Sequence, residues 1–134
     1  MIVQGDVLTN EGPKAIKEIQ EGDIVINLGN RPCRVVKVEK ADVTEVIRFA
    51  SNPHLVIARD TDIATRYGRV QGRSITGSTV EEMLYQCESP CFYDTLEPGM
   101  LDSPQPGYEL TVDSGDGVFV DGYGIYVKKE GERA

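Results

Sequence analysis

Four side chains in this sequence belong to the types that bind zinc or act as nucleophiles, namely Cys33, His54, Cys87 and Cys91. The spacing of Cys87 and Cys91 suits two ligands of a tetrahedral zinc site, to which Cys33 and His54 could add the others. A second close pair of ligands is missing from the sequence. Pro90 bends the chain between Cys87 and Cys91, so a disulfide is a further alternative. We interpret the cysteines as free thiols and predict no metal and no cofactor.

Three aspartates near the C-terminus raise the question of a calcium site. Asp113, Asp116 and Asp121 lie in a glycine-rich segment. The ligand order of an EF-hand and its closing glutamate are absent from this segment. Aspartate is also a common turn residue, because its side chain hydrogen-bonds to nearby backbone groups. We therefore assign the three aspartates to turns.

The bulk composition excludes several classes of protein. The chain has 134 residues, of which 40% are hydrophobic and 27% charged, and this fits one globular domain with its own core. A formal net charge of -8 argues against a nucleic-acid binder, which needs a basic face. No apolar run approaches the roughly 18 residues that span a bilayer, and no secretory signal is visible. Three cysteines are too few for a disulfide scaffold, so we expect a reducing, intracellular setting.

Local sequence patterns predict that strands position the polar side chains. Residues 108–112 alternate apolar and polar side chains, which is the pattern of a half-buried strand. Residues that tolerate positive φ follow, as in Ser114-Gly115-Asp116-Gly117. Further segments are rich in the β-branched residues that favour sheet, at residues 24–26, 34–39, 44–49 and 55–58. These patterns predict an all-β domain of many short strands.

Three segments depart from the strand pattern. Residues 14–20 are too few for a stable free helix, and we predict one or two helical turns packed by Ile16 and Ile19. Residues 79–85 begin with a threonine suited to an N-cap and carry acids in the first turn, which predicts a short helix. Residues 86–107 hold four of the seven prolines and show no periodicity. We predict that they form one long Pro-rich loop inserted in a single domain of residues 1–134.

Three sequence blocks resemble the Hint domain, the module shared by inteins and hedgehog autoprocessing domains. The opening GDVLTNEGPKAIKEIQEGDIVI is similar to the family's first block, the middle LVIARDTDIATRYGRV to its second, and the ending with YELTV and FVDG to its last. The order and spacing of the blocks imply an intein-type, Hint-like twisted β-fold over nearly the whole chain. The matching positions of the first block are Gly5, Val7, Leu8, Thr9, Gly12, Ile16, Ile19, Gly22, Asp23 and Val25.

The resemblance also implies where catalytic residues would stand. Self-splicing in the family begins with a Cys or Ser at the first residue of the domain, a position that falls at or just before Met1. The Thr and His of the second block, which polarise the scissile amide, align without gaps with Ala58 and Thr61. The closing His-Asn pair, which performs the last cleavage, is replaced by Lys128 and Lys129. We therefore predict a Hint frame without catalytic residues.

His54, the only histidine, gives an alternative alignment of the second block. Ser51-Asn52-Pro53-His54 has the spacing of the family's Thr-x-x-His, which would make His54 the base of that block. This alignment requires a gap before Thr65, which the ungapped one avoids. A histidine beside a proline-containing turn is typically a surface residue, and we assign His54 to the surface.

The expected function is that of a catalytically inactive structural or interaction domain in a larger protein assembly, for example a phage tail or baseplate. The expected partners are other proteins, bound through residues 86–107 or an exposed sheet edge, with neither nucleic acid nor membrane. A homo-oligomer is a further alternative. The expected location is the cytoplasm or a virion. Two other functions stay open, namely an autoprocessing domain that splices or cleaves itself and a zinc-binding module built on Cys87 and Cys91.

Overall fold

The structure is a computed structural model that describes residues 1–65, 68–74, 79–81 and 93–131. In these ranges thirteen strands form one sheet system. The strands are β1 (Ile2–Gln4), β2 (Asp6–Thr9), β3 (Gly12–Ala15), β4 (Ile24–Ile26), β5 (Pro32–Phe49), β6 (Asn52–Ala58), β7 (Asp62–Thr65), β8 (Gly68–Gln71), β9 (Thr79–Glu81), β10 (Tyr93–Val112), β11 (Gly117–Val120), β12 (Tyr123–Tyr126) and β13 (Lys128–Lys129). Two 3-10 helices are Ile16–Glu18 and Gly72–Ser74.

Two long strands, β5 and β10, form the frame of the sheet. They pair antiparallel along most of their length, with register shifts that interrupt the ladder. The strands predicted at residues 34–39 and 44–49 are two parts of β5. The polar segment between them continues the strand because its backbone pairs with residues 105–108 of β10.

The strand order brings the first and the last strand to β10. Neighbouring strands run in the order β13, β10, β1, β6, β5, β4, β2, β11, β12, β7 and β8, with β3 paired to β2 and β9 to β10. β1 is antiparallel to both β10 and β6, whereas β13 runs parallel to β10. Residues near the start of the chain and residues near its end therefore lie along the same strand.

Alternate positions of these strands form one main hydrophobic core. Phe49, Leu55, Ile57, Leu110 and Ile125 are fully or almost fully buried and belong to one cluster. Phe49, Leu55, Ile57 and Leu110 lie in segments in which sequence alternation or β-branched content predicted a strand. Removal of apolar surface from water at such positions is the dominant favourable term in folding.

The prediction of a long loop at residues 86–107 is wrong for residues 93–107, which belong to β10. Residues 86–92 lie outside the described part of the chain. Prolines suggested a loop because they cannot donate to a β ladder. Over residues 96–107, β5 is the described strand that pairs with β10. A proline whose nitrogen faces the other edge of this stretch therefore removes no hydrogen bond to a described strand. Pro98 and Pro106 lie in the ladder opposite Ile47 and Asp42, and Pro104 lies within the register shift between Met100 and Gln105.

The two helix predictions had different outcomes. The turns predicted at residues 14–20 are confirmed for the 3-10 helix Ile16–Glu18, with Ile16 and Ile19 both in the core. The prediction is wrong for Lys14 and Ala15, which belong to β3. The helix predicted at residues 79–85 is wrong for Thr79–Glu81, which form β9 against the start of β10; residues 82–85 lie outside the described ranges. Pairing with an available strand edge outweighed the local helix signals. Within the described ranges, no helix is long and apolar enough to cross a membrane.

Candidate functional site

The backbone of residue 1 is held by residues of the second sequence block. The amino nitrogen of Met1 donates to Thr61 Oγ1 at 3.0 Å, and the Thr61 hydroxyl donates to the Met1 carbonyl at 3.1 Å. The same carbonyl accepts from the backbone N–H of Ala58 at 2.9 Å. Thr61 is almost fully buried, so these hydrogen bonds are protected from water. Ala58 and Thr61 thus lie against residue 1, in agreement with the ungapped alignment.

Lys128 and Lys129 form the short strand β13, which pairs with β10 close to the point where Ile2 of β1 pairs with Tyr108. Thr111 and Val112 of β10 pair with them. Both lysine side chains are exposed. The Lys128 ammonium lies 3.8 Å from a carboxylate oxygen of Glu39, which faces Glu109 across the β5–β10 ladder.

Glu109 is acted on by the charges of both the Met1 ammonium and Lys128, although its local sequence pattern does not mark it as a functional residue. Its side chain is half-buried. Burial raises the pKa of the Glu109 carboxyl above its usual value, the Met1 ammonium and Lys128 oppose that rise, and the carboxylates of Asp60 and Glu39 add to it. Alternation correctly placed Glu109 on the opposite face from its buried neighbours Tyr108 and Leu110. Alternation alone does not show that the face of β10 that carries Glu109 is also partly shielded from solvent.

The side chains at this site limit its chemistry. The Thr61 hydroxyl can position a backbone group, but unlike an imidazole it does not take up a proton near neutral pH. Met1 offers a thioether, which lacks the acidic proton of a thiol. Lysine cannot perform the cyclisation that a terminal asparagine performs. Glu109 is the group here whose pKa is shifted toward the range useful for acid–base catalysis.

His54 lies elsewhere, in β6, next to two carboxylates. Its side chain is 50% exposed, which confirms the surface assignment. His54 Nδ1 lies 2.7 Å from Asp121 Oδ2, and Asp6, His54 and Asp121 place their ligand atoms within 4.8 Å of one another. The alternative alignment is thus not supported, because the hydrogen bonds to residue 1 come from residues 58 and 61.

The His54–Asp121 contact predicts a pH-dependent contribution to stability. The hydrogen bond to Asp121 raises the pKa of His54 above the value of 6.5 of a free imidazole, and the charge of Asp6 acts in the same direction. A raised folded-state pKa stabilises the fold fully below the unfolded pKa, and this contribution disappears as the pH rises through the folded pKa. Because His54 is half exposed, we expect less than about 1 kcal/mol.

Urea unfolding of the wild type and of His54→Gln, followed at several pH values, measures this contribution. The difference in the free energy of unfolding between the two proteins should be largest below pH 6.5 and decline in alkaline buffer. A difference that grows as the pH rises would contradict the assignment.

The predicted cysteine and aspartate roles can be compared with the structure only in part. Cys33 is a free thiol in the main core, and burial, with a smaller effect of Asp113, raises its pKa to about 11. A buried neutral thiol is a poor zinc ligand or nucleophile. The predictions for Cys87 and Cys91 lie outside the described residues. Asp113 and Asp116 lie in the bend between β10 and β11, and Asp121 lies in the turn between β11 and β12. Asp113 and Asp121 each accept a hydrogen bond from the backbone N–H of a distant residue, Arg34 and Asp6 respectively.

The chain is similar in structure to inteins. The solution structure of a bacterial intein-like domain from Clostridium thermocellum has a TM-score of 0.75 at 17% identity, covering 95% of this chain and 98% of that chain. The crystal structure of gp41-1 intein has a TM-score of 0.67 at 16% identity, covering 92% and 94%, and that of Ssp DnaB mini-intein variant M86 has 0.69 at 10%, covering 94% and 93%. No family model and no curated protein matches the chain. The predicted all-β, Hint-like fold is confirmed.

Proposed function

We propose that this Hint-like domain is catalytically inactive and serves as a structural or interaction module of a larger protein assembly, such as a phage tail or baseplate. The observation that carries the proposal is the contact between residue 1 and Thr61. The side chain at the position of the family's catalytic histidine is in place, and it is a hydroxyl without basic character. The intein-type frame therefore holds the groups at its ends without an imidazole at the position where the family uses one.

The termini of the fold support the inactive assignment independently. Met1 provides no thiol or hydroxyl to attack a preceding carbonyl. Lys128 and Lys129 occupy the positions of the closing His-Asn pair, are exposed, and pair with β10 through their backbone. The family's reactive side chains are replaced at three separated places, namely residue 1, residue 61 and residues 128–129, and this supports inactivity more strongly than replacement at one place.

The assembly role is supported by the exposed edge of β10 and by the acidic charge. Residues 96–107 of β10 pair with β5 on one side, and Met100 in this stretch is 68% exposed. Among the described residues, no strand pairs with the other edge of this stretch. Its prolines limit regular strand addition, so a partner protein would contact this edge mainly through exposed side chains such as Met100. The net charge of -8 disfavours nucleic acid as that partner.

Self-cleavage is the second candidate function, and Glu109 favours it. The Glu109 carboxyl has a raised pKa and is acted on by the charges of the Met1 ammonium and of Lys128, and such a group can act as a general acid. In this reading Glu109 would compensate for the missing histidine.

A fusion with one short folded partner at each end distinguishes the two functions. We expect the fusion to keep its intact mass during incubation with and without a thiol. Fragments cut at either boundary would overturn the proposal, and their loss in Glu109→Gln would then assign the proton transfer to that carboxyl. A matched fusion carrying Met1→Cys, Thr61→His, Lys128→His and Lys129→Asn serves as the comparison, because cleavage restored there would place the defect in these four side chains.

A further inference from the structure

Three segments that are distant in sequence bring three potential metal ligands, Asp6, His54 and Asp121, close to one another. Asp6 is the first residue of β2, His54 lies in β6, and Asp121 lies in the turn between β11 and β12. Their ligand atoms all lie within 4.8 Å of one another. The group contains one imidazole nitrogen and two carboxylates, which is a mixed donor set and not merely an acidic patch.

The backbone holds two of these ligands in a fixed relation. The N–H of Asp6 donates to Asp121 Oδ1 at 2.9 Å, and the N–H of Asp121 donates to the carbonyl of Asp6 at the same distance. Gly5 permits this approach, because it has a φ of +146° and a Cβ there would lie 2.7 Å from a methyl carbon of Val120. Asp121 itself has a φ of 51°, a conformation that aspartate and asparagine tolerate better than most residues.

The second carboxylate oxygen of Asp121 contacts the side chains of Asn52 and His54. Asp121 Oδ2 accepts a hydrogen bond from Asn52 Nδ2 at 3.2 Å and contacts His54 Nδ1 at 2.7 Å. The Asp121 side chain is only 11% exposed, whereas that of His54 is 50% exposed. The carboxylate is thus fixed and sheltered, and the imidazole can adjust from the solvent side.

We propose that Asp6, His54 and Asp121 form a binding site for a divalent transition metal of the zinc class. A mixed nitrogen and oxygen donor set suits zinc and its neighbours, whereas calcium and magnesium prefer oxygen ligands alone. Tetrahedral zinc, with bonds of about 2.0–2.2 Å, needs its donors roughly 3.4 Å apart. The three donors lie within 4.8 Å of one another, so they must approach by up to about 1.4 Å to bind a tetrahedral zinc ion. The half-exposed imidazole of His54 has room to move toward the carboxylates.

The proton balance of binding follows from the His54–Asp121 contact. The metal takes the place of the proton on His54 Nδ1. When His54 is charged, that proton leaves to the solvent; when it is neutral, the proton moves through the solvent to Nε2. The affinity therefore falls by about tenfold per pH unit where the histidine is protonated. The charged groups that face His54 are Asp121 and Asp6, and both attract the cation.

A bound metal would stabilise the fold, because it links Asp6 and Asp121, which are 115 positions apart in the chain. Binding to the folded state alone raises its stability in proportion to the logarithm of the free metal concentration. This property gives a readout that needs no enzymatic activity.

The test is a calorimetric titration of zinc chloride into metal-stripped protein, with the imidazole signals of His54 followed by NMR. We expect one saturable site and a shift of the signals of this only histidine. Zinc should also raise the melting temperature. No saturable binding up to about 1 mM zinc, binding that leaves the His54 signals unchanged, or equally tight binding of magnesium would each overturn the proposal.

Matched variants separate this site from other zinc ligands. Asp121→Asn keeps the backbone tolerance and an amide oxygen but removes the charged ligand, and it should weaken binding by at least about tenfold. Asp116→Asn, an exposed aspartate in the neighbouring turn, should leave the affinity unchanged. The double variant Cys87→Ser and Cys91→Ser should also bind as the wild type does. Loss of binding in the cysteine variant, with binding retained in Asp121→Asn, would assign the metal to the cysteines and overturn the proposal.

Discussion

Phe49→Ala is expected to lower the free energy of unfolding by about 3–5 kcal/mol. Phe49 ends β5 and is 1% exposed. Its ring lies 4.4 Å, centroid to centroid, from the ring of Tyr123 in β12. The side chain therefore joins the β5–β10 pair to the β11–β12 hairpin. Truncation leaves a cavity that the surrounding strands can fill only in part, and it also removes the aromatic pair.

Urea unfolding followed by circular dichroism measures this loss. Met100→Ala is the matched control, because Met100 is a large apolar side chain of β10 that is 68% exposed. Its truncation should change the free energy of unfolding by less than about 0.5 kcal/mol. Equal losses in the two variants would show that the core does not depend on the Phe49–Tyr123 contact.

Asp121→Ala is expected to lower the free energy of unfolding by about 2–3 kcal/mol, more than a typical surface change. The substitution removes the acceptor of the Asp6 N–H and of the Asn52 side chain. It also places alanine at a φ of 51°, which alanine adopts at a cost of about 1 kcal/mol or more. The start of β2 and the turn after β11 therefore lose their common anchor.

Asp121→Asn separates the contributions in the same unfolding experiment. Asparagine retains an oxygen for the Asp6 N–H and tolerates positive φ, so we expect it to recover most of the loss. If the alanine and asparagine variants lose the same free energy, the stabilisation comes from the charge beside His54 and not from the backbone anchor.

Local patterns were sufficient for the fold class and for the strands at residues 24–26, 34–39, 44–49, 55–58 and 108–112. Alternation identified the strand around Leu110, and two isoleucines at helical spacing identified the 3-10 turn at Ile16. Local patterns failed where the partner strand decided the outcome. Residues 93–107 and Thr79–Glu81 are strands because an edge was available for pairing, and neither proline content nor capping residues report on such an edge.

The sequence by itself determined that the chain is all-β and Hint-like, because three blocks of strand and turn residues stand in the right order, and it determined which residue types occupy the family's catalytic positions. Only the tertiary structure decided where Glu109 and His54 lie. The partly covered face of Glu109 and the grouping of Asp6, His54 and Asp121 depend on contacts between residues as many as 115 positions apart. Such contacts leave no periodic signal in the sequence, because each ligand sits alone in its own segment and acquires its neighbours only when the sheet closes.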